Sequence, residues 1–266
     1  MSLFRLIARL DIKGDKLIKP IHLEGLRVIG DPHLHAVEYA NQGADELLFM
    51  DTVATLYGRN QLTDLLERTT EGVFIPVTVG GGIKSLGDVS RLFRSGADKI
   101  AINTAALHKP ILIKELSDKY GGQAIVVSIE AKRINGGKGD WECYTNNGRE
   151  KTGKGVLSWS YEVQKLGAGE ILLTSIDCEG TRKGVDLALI KAIGPDLDIP
   201  VVISGGIGNP HHVTEARQYA DAVAVADVLH YKRFTIEELK CLMPCNEEVI
   251  NPLSPQQQIS QQDPLT

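Results

Sequence analysis

The chain contains the same short pattern twice, and this repeat constrains its fold more than any other feature. Residues 75–83 read IPVTVGGGI and residues 199–207 read IPVVISGGI, an offset of 124 residues. The segments GADELL at 43–48 and GAGEIL at 167–172 have the same offset. A repeat of this length exceeds the unit of a solenoid protein. It predicts two similar half-domains, each with four βα units.

The first glycine turn predicts an anion-binding site. An apolar, β-branched run ends in three consecutive glycines, which tolerate positive φ and bring bare backbone amides close to a ligand. Ser85 and Asp88 then form a capping-box pattern at the start of the next helix. A strand end, a glycine loop and a helix N-terminus are together typical of a phosphate site, although an ordinary tight βα turn is the alternative. The candidate binding residues are Gly81, Gly82, Asn103 and Thr104.

Composition limits the class of protein. A chain of 266 residues suits one large α/β barrel or two ordinary domains, and 42% hydrophobic with 24% charged residues is normal for a soluble globular protein. The net charge of −5 provides no basic surface for nucleic acid or an anionic membrane. The four cysteines lack zinc-site spacing, and no metal or other cofactor is expected. The N-terminus carries neither a signal-peptide nor a membrane-span pattern, which favours the cytoplasm.

Eight short apolar strands alternate with amphipathic helices along the chain. This pattern predicts a (β/α)8 TIM barrel built from two similar half-barrels, over residues 1–245. The tail, residues 246–266, has prolines and a glutamine-rich run and is expected to be disordered. Two long insertions interrupt the alternation. Residues 13–30 are expected to form a lid or binding loop, and residues 131–154 carry a hairpin turn signal at Asn146, Asn147 and Gly148.

The active-site residues of such barrels lie at the carboxyl ends of the strands. The polar residues that the pattern places there are Asp11, Asp51, Asn103, Glu130, Asp177, Ser204 and Asp227. The second glycine turn contains Gly205 and Gly206, and it is predicted to lie across the rim from the first. This arrangement suits an elongated ligand with an anionic group at each end.

Several sequence strings together carry a resemblance to a known family. They are LD at 10–11, Lys19, GDP at 30–32, GADEL at 43–47, VGGGI at 79–83, GADK at 96–99, INTAA at 102–106, GAGEILLTSID at 167–177 and SGG at 204–206. Over about Leu6 to Leu242, the chain resembles the cyclase subunit of imidazole glycerol phosphate synthase. The resemblance implies a partner glutaminase in a heterodimer, whose ammonia enters through the barrel base. The ammonia then reacts with a bis-phosphorylated ribulosyl substrate, which yields imidazole glycerol phosphate and a carboxamide nucleotide.

The resemblance also implies roles for individual residues. Asp11 and Glu130 match two carboxylates that face each other across the mouth as general acid and base. Lys19 is among the matching residues, and its position in the insertion at residues 13–30 predicts a flexible cation that can close over an anionic substrate, although a surface lysine is the alternative. A gate for ammonia matches residues near the amino ends of alternate strands: Arg5, Glu46, Lys99 and Glu170. The alternative for these four is a charge cluster that plugs the barrel base.

Three residues depart from the family pattern. Glu130 and Glu179 stand where the family has aspartate, one methylene shorter, and Asp227 stands where it has serine. A displacement of about 1 Å can cost on the order of 100-fold in rate. A carboxylate about 4 Å from a phosphate charge costs about 4 kcal/mol at an effective dielectric near 20. If Asp227 faces the ligand, the second phosphate site is therefore weakened.

Three functional hypotheses follow from these departures. The first is a histidine-pathway cyclase with altered carboxylates. The second is a paralogue that delivers ammonia for amidino-sugar formation in surface polysaccharide biosynthesis. The third is a non-catalytic conduit or scaffold for the glutaminase, which the set of Asp11, Lys19 and the gate residues argues against.

Overall fold

Eight parallel strands close into a barrel in the computed structural model, which describes residues 4–53, 62–134, 139–193 and 197–241. The tail predicted to be disordered, residues 246–266, lies outside the described residues. The strands are β1 (Arg5–Lys13), β2 (Lys16–Ile21), β3 (Glu24–Gly30), β4 (Glu46–Asp51), β5 (Val77–Gly80), β6 (Lys99–Ile102), β7 (Ile125–Arg133), β8 (Trp141–Thr145), β9 (Glu150–Gly155), β10 (Glu170–Ser175), β11 (Val201–Ser204) and β12 (Ala222–Val225).

The helices that the structure describes alternate with the strands of the barrel along the chain. They are α1 (Pro32–Asn41), α2 (Leu62–Thr70), α3 (Leu86–Arg94), α4 (Thr104–His108), α5 (Ile111–Tyr120), α6 (Val156–Lys165), α7 (Leu187–Ile193), α8 (Pro210–Arg217), α9 (Asp227–His230) and α10 (Ile236–Lys240), with a 3-10 turn at Gly122–Ala124. No helix within the described ranges is long and apolar enough to cross a membrane.

The barrel closes in the order β1-β4-β5-β6-β7-β10-β11-β12, because β12 pairs with β1 and β10 pairs with β7. Each half of this order begins with a strand that continues into an antiparallel hairpin: β2–β3 after β1, and β8–β9 after β7. The prediction of a (β/α)8 barrel with two similar halves is therefore confirmed. The duplication includes the hairpins as well as the glycine turns.

The prediction that residues 13–30 form a loop is wrong, whereas their role as a lid or binding segment stays a prediction. These residues form β2 and β3, and β2 pairs with the end of β1. Leu17, Ile18 and Leu23 are buried, because the extended chain places its apolar side chains against the barrel. Strands β1 and β7 continue into their hairpins and are longer than expected. Asp11 and Glu130, expected at strand ends, therefore lie inside these strands.

Local sequence signals set several element boundaries as predicted. Ser85 and Asp88 form a capping box at the start of α3, and Asp31 accepts two backbone N–H groups at the start of α1. The turn between β8 and β9 has φ of 53° at Asn146 and 60° at Asn147. Gly148 also has positive φ, of 74°, and the N–H of Arg149 donates to the carbonyl oxygen of Thr145, so the turn spans four residues, three of them in a conformation that asparagine and glycine tolerate.

The interior of the barrel is layered along its axis. Side chains on a strand alternate between the two faces, so on β1 the residues Arg5, Ile7, Arg9 and Asp11 point inward. The middle layer is apolar and consists of Ile7, Leu48, Ala101, Val126, Leu172, Val202, Ala222 and Ala224. The larger apolar core lies outside the barrel, between the strands and the helices. The apolar layer therefore separates a polar group at the base from a polar group at the mouth.

Candidate active site

Two cations and two carboxylates form a closed ring at the base of the barrel. Nη1 of Arg5 donates to Glu46 over 2.9 Å, and Nζ of Lys99 donates to Glu46 and Glu170 over 2.9 and 3.0 Å. Nη2 of Arg5 donates to Glu170 and completes the ring. Burial opposes the charged form of Arg5, but the two carboxylates together raise the pKa of its guanidinium. The four residues predicted as a gate are thus brought together.

The ring does not follow strictly alternate strands. Glu46, Lys99 and Glu170 lie on β4, β6 and β10, which alternate in the barrel order, whereas Arg5 lies on β1, next to β4. A long arginine side chain reaches Glu170 on β10 from there. Both carboxylates are buried and paired with cations, so the ring closes the base of the barrel with ion pairs.

A cavity at the mouth, called the main cavity because the predicted site residues line it, lies above the apolar layer and has a volume of about 290 Å³. Six of the predicted site residues line it: Asp51, Gly81, Gly82, Asn103, Thr104 and Glu130. Gly81 has φ of 104°, and a Cβ there would lie 2.3 Å from the carbonyl oxygen of Asp51. The turn can therefore approach β4 this closely only with glycine at this position.

Asp11 and Glu130 lie on opposite sides of the barrel, because β1 and β7 are four strands apart around the closed sheet, and Glu130 lines the main cavity whereas Asp11 lines neither that cavity nor the pocket at the second glycine turn. Asp11 is fully buried, and its Oδ1 accepts a hydrogen bond from Nε of Arg9 over 2.9 Å. Oδ2 of Asp11 has no hydrogen-bond partner within the described ranges. Glu130 accepts the N–H of Gly148 over 2.7 Å. Burial raises the pKa of Glu130 to about 7, against the lowering effects of Gly148 and Arg9.

The second glycine turn faces a much smaller pocket, of about 10 Å³. Lys19, Glu179, Gly205, Gly206 and Asp227 line it, so these predicted residues are also brought together. Gly206 has φ of 96°, and a Cβ there would lie 1.9 Å from the carbonyl oxygen of Gly184. Because Asp227 lines this pocket, it faces the second glycine turn and does not point outward.

Lys19 is not the flexible loop lysine that its position in the insertion at residues 13–30 predicted. It lies on β2, is 1% exposed, and forms a buried ion pair with Glu179. The charge of Lys19 is thus already paired with a carboxylate at the second turn. Asp177, also predicted to bind substrate, is exposed and accepts the backbone N–H of Arg133 over 2.8 Å, and it lines neither cavity.

The two hairpins meet above the mouth. Nδ2 of Asn147, in the β8–β9 turn, donates to the carbonyl oxygen of Leu23, in the β2–β3 turn, over 3.0 Å. Leu23 packs with Tyr144 and Ile176 in a small separate cluster of buried side chains. Asn146 and Asn147 also line the main cavity, so the hairpin of the second half covers the anion site of the first half.

The family model for histidine biosynthesis proteins matches residues 5–235. The chain is 59% identical, over 208 residues, to the imidazole glycerol phosphate synthase subunit HisF of Legionella pneumophila, which covers 78% of this chain and 97% of that protein. It is 47% identical, over 255 residues, to the subunit of the same name from Methanocaldococcus jannaschii, which covers 89% and 94% of the two chains.

The chain belongs to the histidine biosynthesis protein family.

Sequence reasoning missed three cations at the cavity of this family member. Arg9, Lys84 and Lys109 all line the main cavity. Lys84 directly follows the first glycine turn, and this adjacency was a signal that could have identified it. Arg9 lies two residues before Asp11 on the same strand, so the period of two places both side chains on the inner face. An arginine at an inward position of a buried strand was the overlooked signal.

Proposed function

We propose that this chain is the cyclase subunit of an imidazole glycerol phosphate synthase. It uses ammonia to convert a bis-phosphorylated ribulosyl formimino substrate into imidazole glycerol phosphate and a carboxamide ribonucleotide, in histidine biosynthesis. The observation that carries this proposal is the pair Asp11 and Glu130 on opposite sides of the barrel, with Glu130 in the cavity that contains the first glycine turn. One carboxylate can give a proton while the other takes one, as ring closure and cleavage of the substrate both require.

The first glycine turn would hold one phosphate of the substrate. Its backbone N–H groups, together with Asn103 and Thr104, line the cavity, and Lys84 supplies a positive charge beside them. Oδ1 of Asn103 has no hydrogen-bond partner in the described parts of the chain and is available to a ligand donor. Asp51 lines the same cavity on the β4 side, where a sugar hydroxyl group would lie.

Ammonia would reach the mouth from the base of the barrel. The name HisF denotes one subunit of a synthase, which supports a partner subunit for this chain. We propose that the partner is a glutaminase, that the two chains form a heterodimer, and that the ring of Arg5, Glu46, Lys99 and Glu170 is the gate between them. Neutral ammonia can cross the apolar layer above the ring, whereas ammonium would lose its hydration there without a counter-charge.

One observation favours the second hypothesis, ammonia delivery for amidino-sugar formation. The carboxylate of Asp227 faces the second glycine turn, where a second phosphate would bind, and Glu179 adds another carboxylate to that pocket. Since Glu179 is paired with Lys19, the carboxylate of Asp227 is the charge that opposes a phosphate at close range. A substrate with a phosphate at only one end would avoid this repulsion.

Genetic complementation distinguishes these functions. We expect the chain, expressed with a glutaminase partner, to restore growth without histidine to a cyclase-deficient auxotroph. The purified chain should also form imidazole glycerol phosphate from the ribulosyl substrate and ammonium salts. Failure of both, with a correctly folded protein, would reject the cyclase function and leave ammonia delivery or a non-catalytic conduit.

A further inference from the structure

Two side-chain amide oxygens in the wall of the main cavity have no hydrogen-bond partner. Oδ1 of Asn103 and Oδ1 of Asn146 are buried and unpaired among the described residues, and both residues line the cavity. No other lining residue of this cavity has such an atom within the described ranges. Buried polar atoms in proteins nearly always have a partner. An amide oxygen accepts and cannot donate, so the group that satisfies these two atoms must carry O–H or N–H.

The orientation of the Asn103 amide follows from its neighbours. Nδ2 donates to the carbonyl oxygen of Tyr144 over 3.2 Å, and a carbonyl oxygen can only accept. Burial raises the pKa of Glu130 to about 7, and a hydrogen bond from the side chain of Asn103 is among the effects that oppose this rise. Two acceptors therefore face Nδ2, which leaves Oδ1 on the other branch of the amide. Asn103 precedes α4 but makes no side-chain hydrogen bond to that helix, so Oδ1 is not used there.

The turn of the β8–β9 hairpin holds Asn146 at the same wall of the cavity. The N–H of Asn146 donates to Oγ1 of Thr104 over 3.2 Å, and the N–H of Gly148 donates to Glu130 over 2.7 Å. Thr104 directly follows Asn103 in the chain, so both unpaired amides lie at the end of β6. Because the turn is hydrogen-bonded at two points, Asn146 is held in place before a ligand binds, which lowers the entropy cost of binding.

The donors of the cavity lie beside these two acceptors. The first glycine turn has backbone N–H groups, and Lys84 adds a positive charge, which suits a phosphate. The turn follows β5, Asn103 follows β6, and the two strands are paired in parallel. Neighbouring strands lie about 4.8 Å apart, so a phosphate at the turn would lie close to the amide oxygens.

A hydroxyl group is the donor that best suits the amide oxygens. An ammonium group would add a positive charge to a cavity that three cations already line: Arg9, Lys84 and Lys109. A hydroxyl group on a carbon next to the phosphate brings a donor without a charge. A polyol phosphate therefore matches both the donors at the glycine turn and the acceptors beside it.

We propose that Asn103 and Asn146 form a hydroxyl subsite, which makes the main cavity specific for a polyol phosphate over a phosphate ester without hydroxyl groups. The subsite rests on the proposed role of the first glycine turn as a phosphate site, but it does not require the cyclase reaction. A site built to bind a hydroxyl group rejects an analogue that lacks it, because its polar groups are then left unpaired. Since Asn146 belongs to the hairpin of the second half-barrel, the specificity of the first anion site depends on both halves.

The test compares the affinities for two three-carbon phosphate esters. Glycerol 3-phosphate has two hydroxyl groups, propyl phosphate has none, and at pH 8 both esters carry close to two negative charges. Dissociation constants are measured by NMR titration for the wild type, Asn146→Gly and Asn103→Ala. Asn146 has φ of 53°, which glycine adopts readily, so Asn146→Gly removes the side chain and keeps the turn. Asn41→Gly, at the exposed last residue of α1, is the matched control.

We expect the wild type and Asn41→Gly to bind glycerol 3-phosphate on the order of 10-fold more tightly than propyl phosphate. Asn146→Gly should lower this ratio to about 3-fold, because it weakens the binding of glycerol 3-phosphate alone. Asn103→Ala should lower the ratio as well. A purely structural role of these side chains would weaken the binding of both esters equally and leave the ratio unchanged.

Three results would overturn the inference. The first is equal affinity of the wild type for the two esters, as expected if ordered water satisfies both amides. The second is an unchanged ratio in either Asn146→Gly or Asn103→Ala, and if one variant does not fold, the other decides. The third is absence of binding of both esters by the wild type. The measurement involves no turnover, so a wild type that prefers glycerol 3-phosphate but forms no imidazole product would reject the cyclase function and retain the subsite.

Discussion

Oδ1 of Asp227 lies 3.6 Å from Nε of Arg182. Asp227 lines the pocket that faces the second glycine turn. Oδ1 has no hydrogen bond in the described parts of the chain, so the contact with Arg182 is an ion pair only. Burial raises the pKa of Asp227, while Lys19, Arg182 and Arg233 lower it. The second turn therefore has a carboxylate where a symmetrical bis-phosphate site would have a donor.

Replacement of Asp227 by serine should tighten binding of the ribulosyl bis-phosphate substrate. The substitution removes a negative charge beside the expected phosphate and introduces a hydroxyl donor. We expect the gain in affinity to shrink at high salt, because ions screen the repulsion in the wild type. Calorimetric titration of both proteins at low and high salt measures the effect.

Asp118→Ser is the control for Asp227→Ser, since it removes an exposed carboxylate of α5 that is paired with Lys114. It should leave the affinity unchanged. Low-micromolar binding by the wild type, with no gain from serine, would show that Asp227 does not oppose the substrate. Absence of binding by both proteins would favour the amidino-sugar function.

Asp11→Asn should abolish turnover with ammonium while the fold stays intact. The amide keeps the shape of the side chain and can still accept from Arg9, but it cannot take up a proton. Kinetic assays with ammonium salts and thermal melts measure the two properties, and Asp15→Asn, at an exposed turn position, serves as the control. More than a tenth of the wild-type rate in Asp11→Asn would exclude Asp11 as the acid or base.

Lys99→Ala should uncouple glutamine hydrolysis from product formation. The substitution opens the ring at the base and leaves Arg5 as the cation paired with Glu46 and Glu170, while Thr78 still donates to Glu46. We expect a larger loss of product formation with glutamine, in the complex with the glutaminase, than with ammonium salts. The control is Lys114→Ala, at an exposed position of α5. Equal losses with both nitrogen sources would remove the gate role.

Glu130→Gln should change how stability depends on pH. Because the pKa of Glu130 rises from 4.5 to about 7 on folding, its contribution is fully present below pH 4.5 and is lost as the pH rises through 7. The wild type should therefore lose up to roughly 3 kcal/mol of stability, relative to Glu130→Gln, between those limits. Urea unfolding of both proteins at pH 5 and pH 8 measures the difference.

The comparison between the two proteins isolates Glu130 from His230. Burial lowers the pKa of His230 to about 3, so His230 destabilises the fold as the pH falls below its ordinary value of 6.5. This effect is the same in both proteins and cancels in the difference. A difference that stays constant from pH 5 to pH 8 would contradict the raised pKa of Glu130.

Local features of the fold could be predicted because each depends on residues close in sequence. The capping box of Ser85 and Asp88 and the hairpin turn at Asn146 and Asn147 are complete within four residues. The hairpin β2–β3 was not predicted, since an insertion of that length gives no local sign that its apolar residues will extend the barrel sheet. The length of β1 and β7 was underestimated for the same reason.

The sequence by itself determined the two half-barrels, the two glycine turns and the identity of most groups at the mouth. These follow from a repeat and from alternation along single strands. Only the tertiary structure decided which charges are paired. Arg9 and Ser204 are 195 residues apart, and Lys19 and Glu179 are 160 apart, yet both pairs are hydrogen-bonded inside the barrel. Closure of the sheet creates these contacts, and burial then requires each charge to have a partner, which no local pattern encodes.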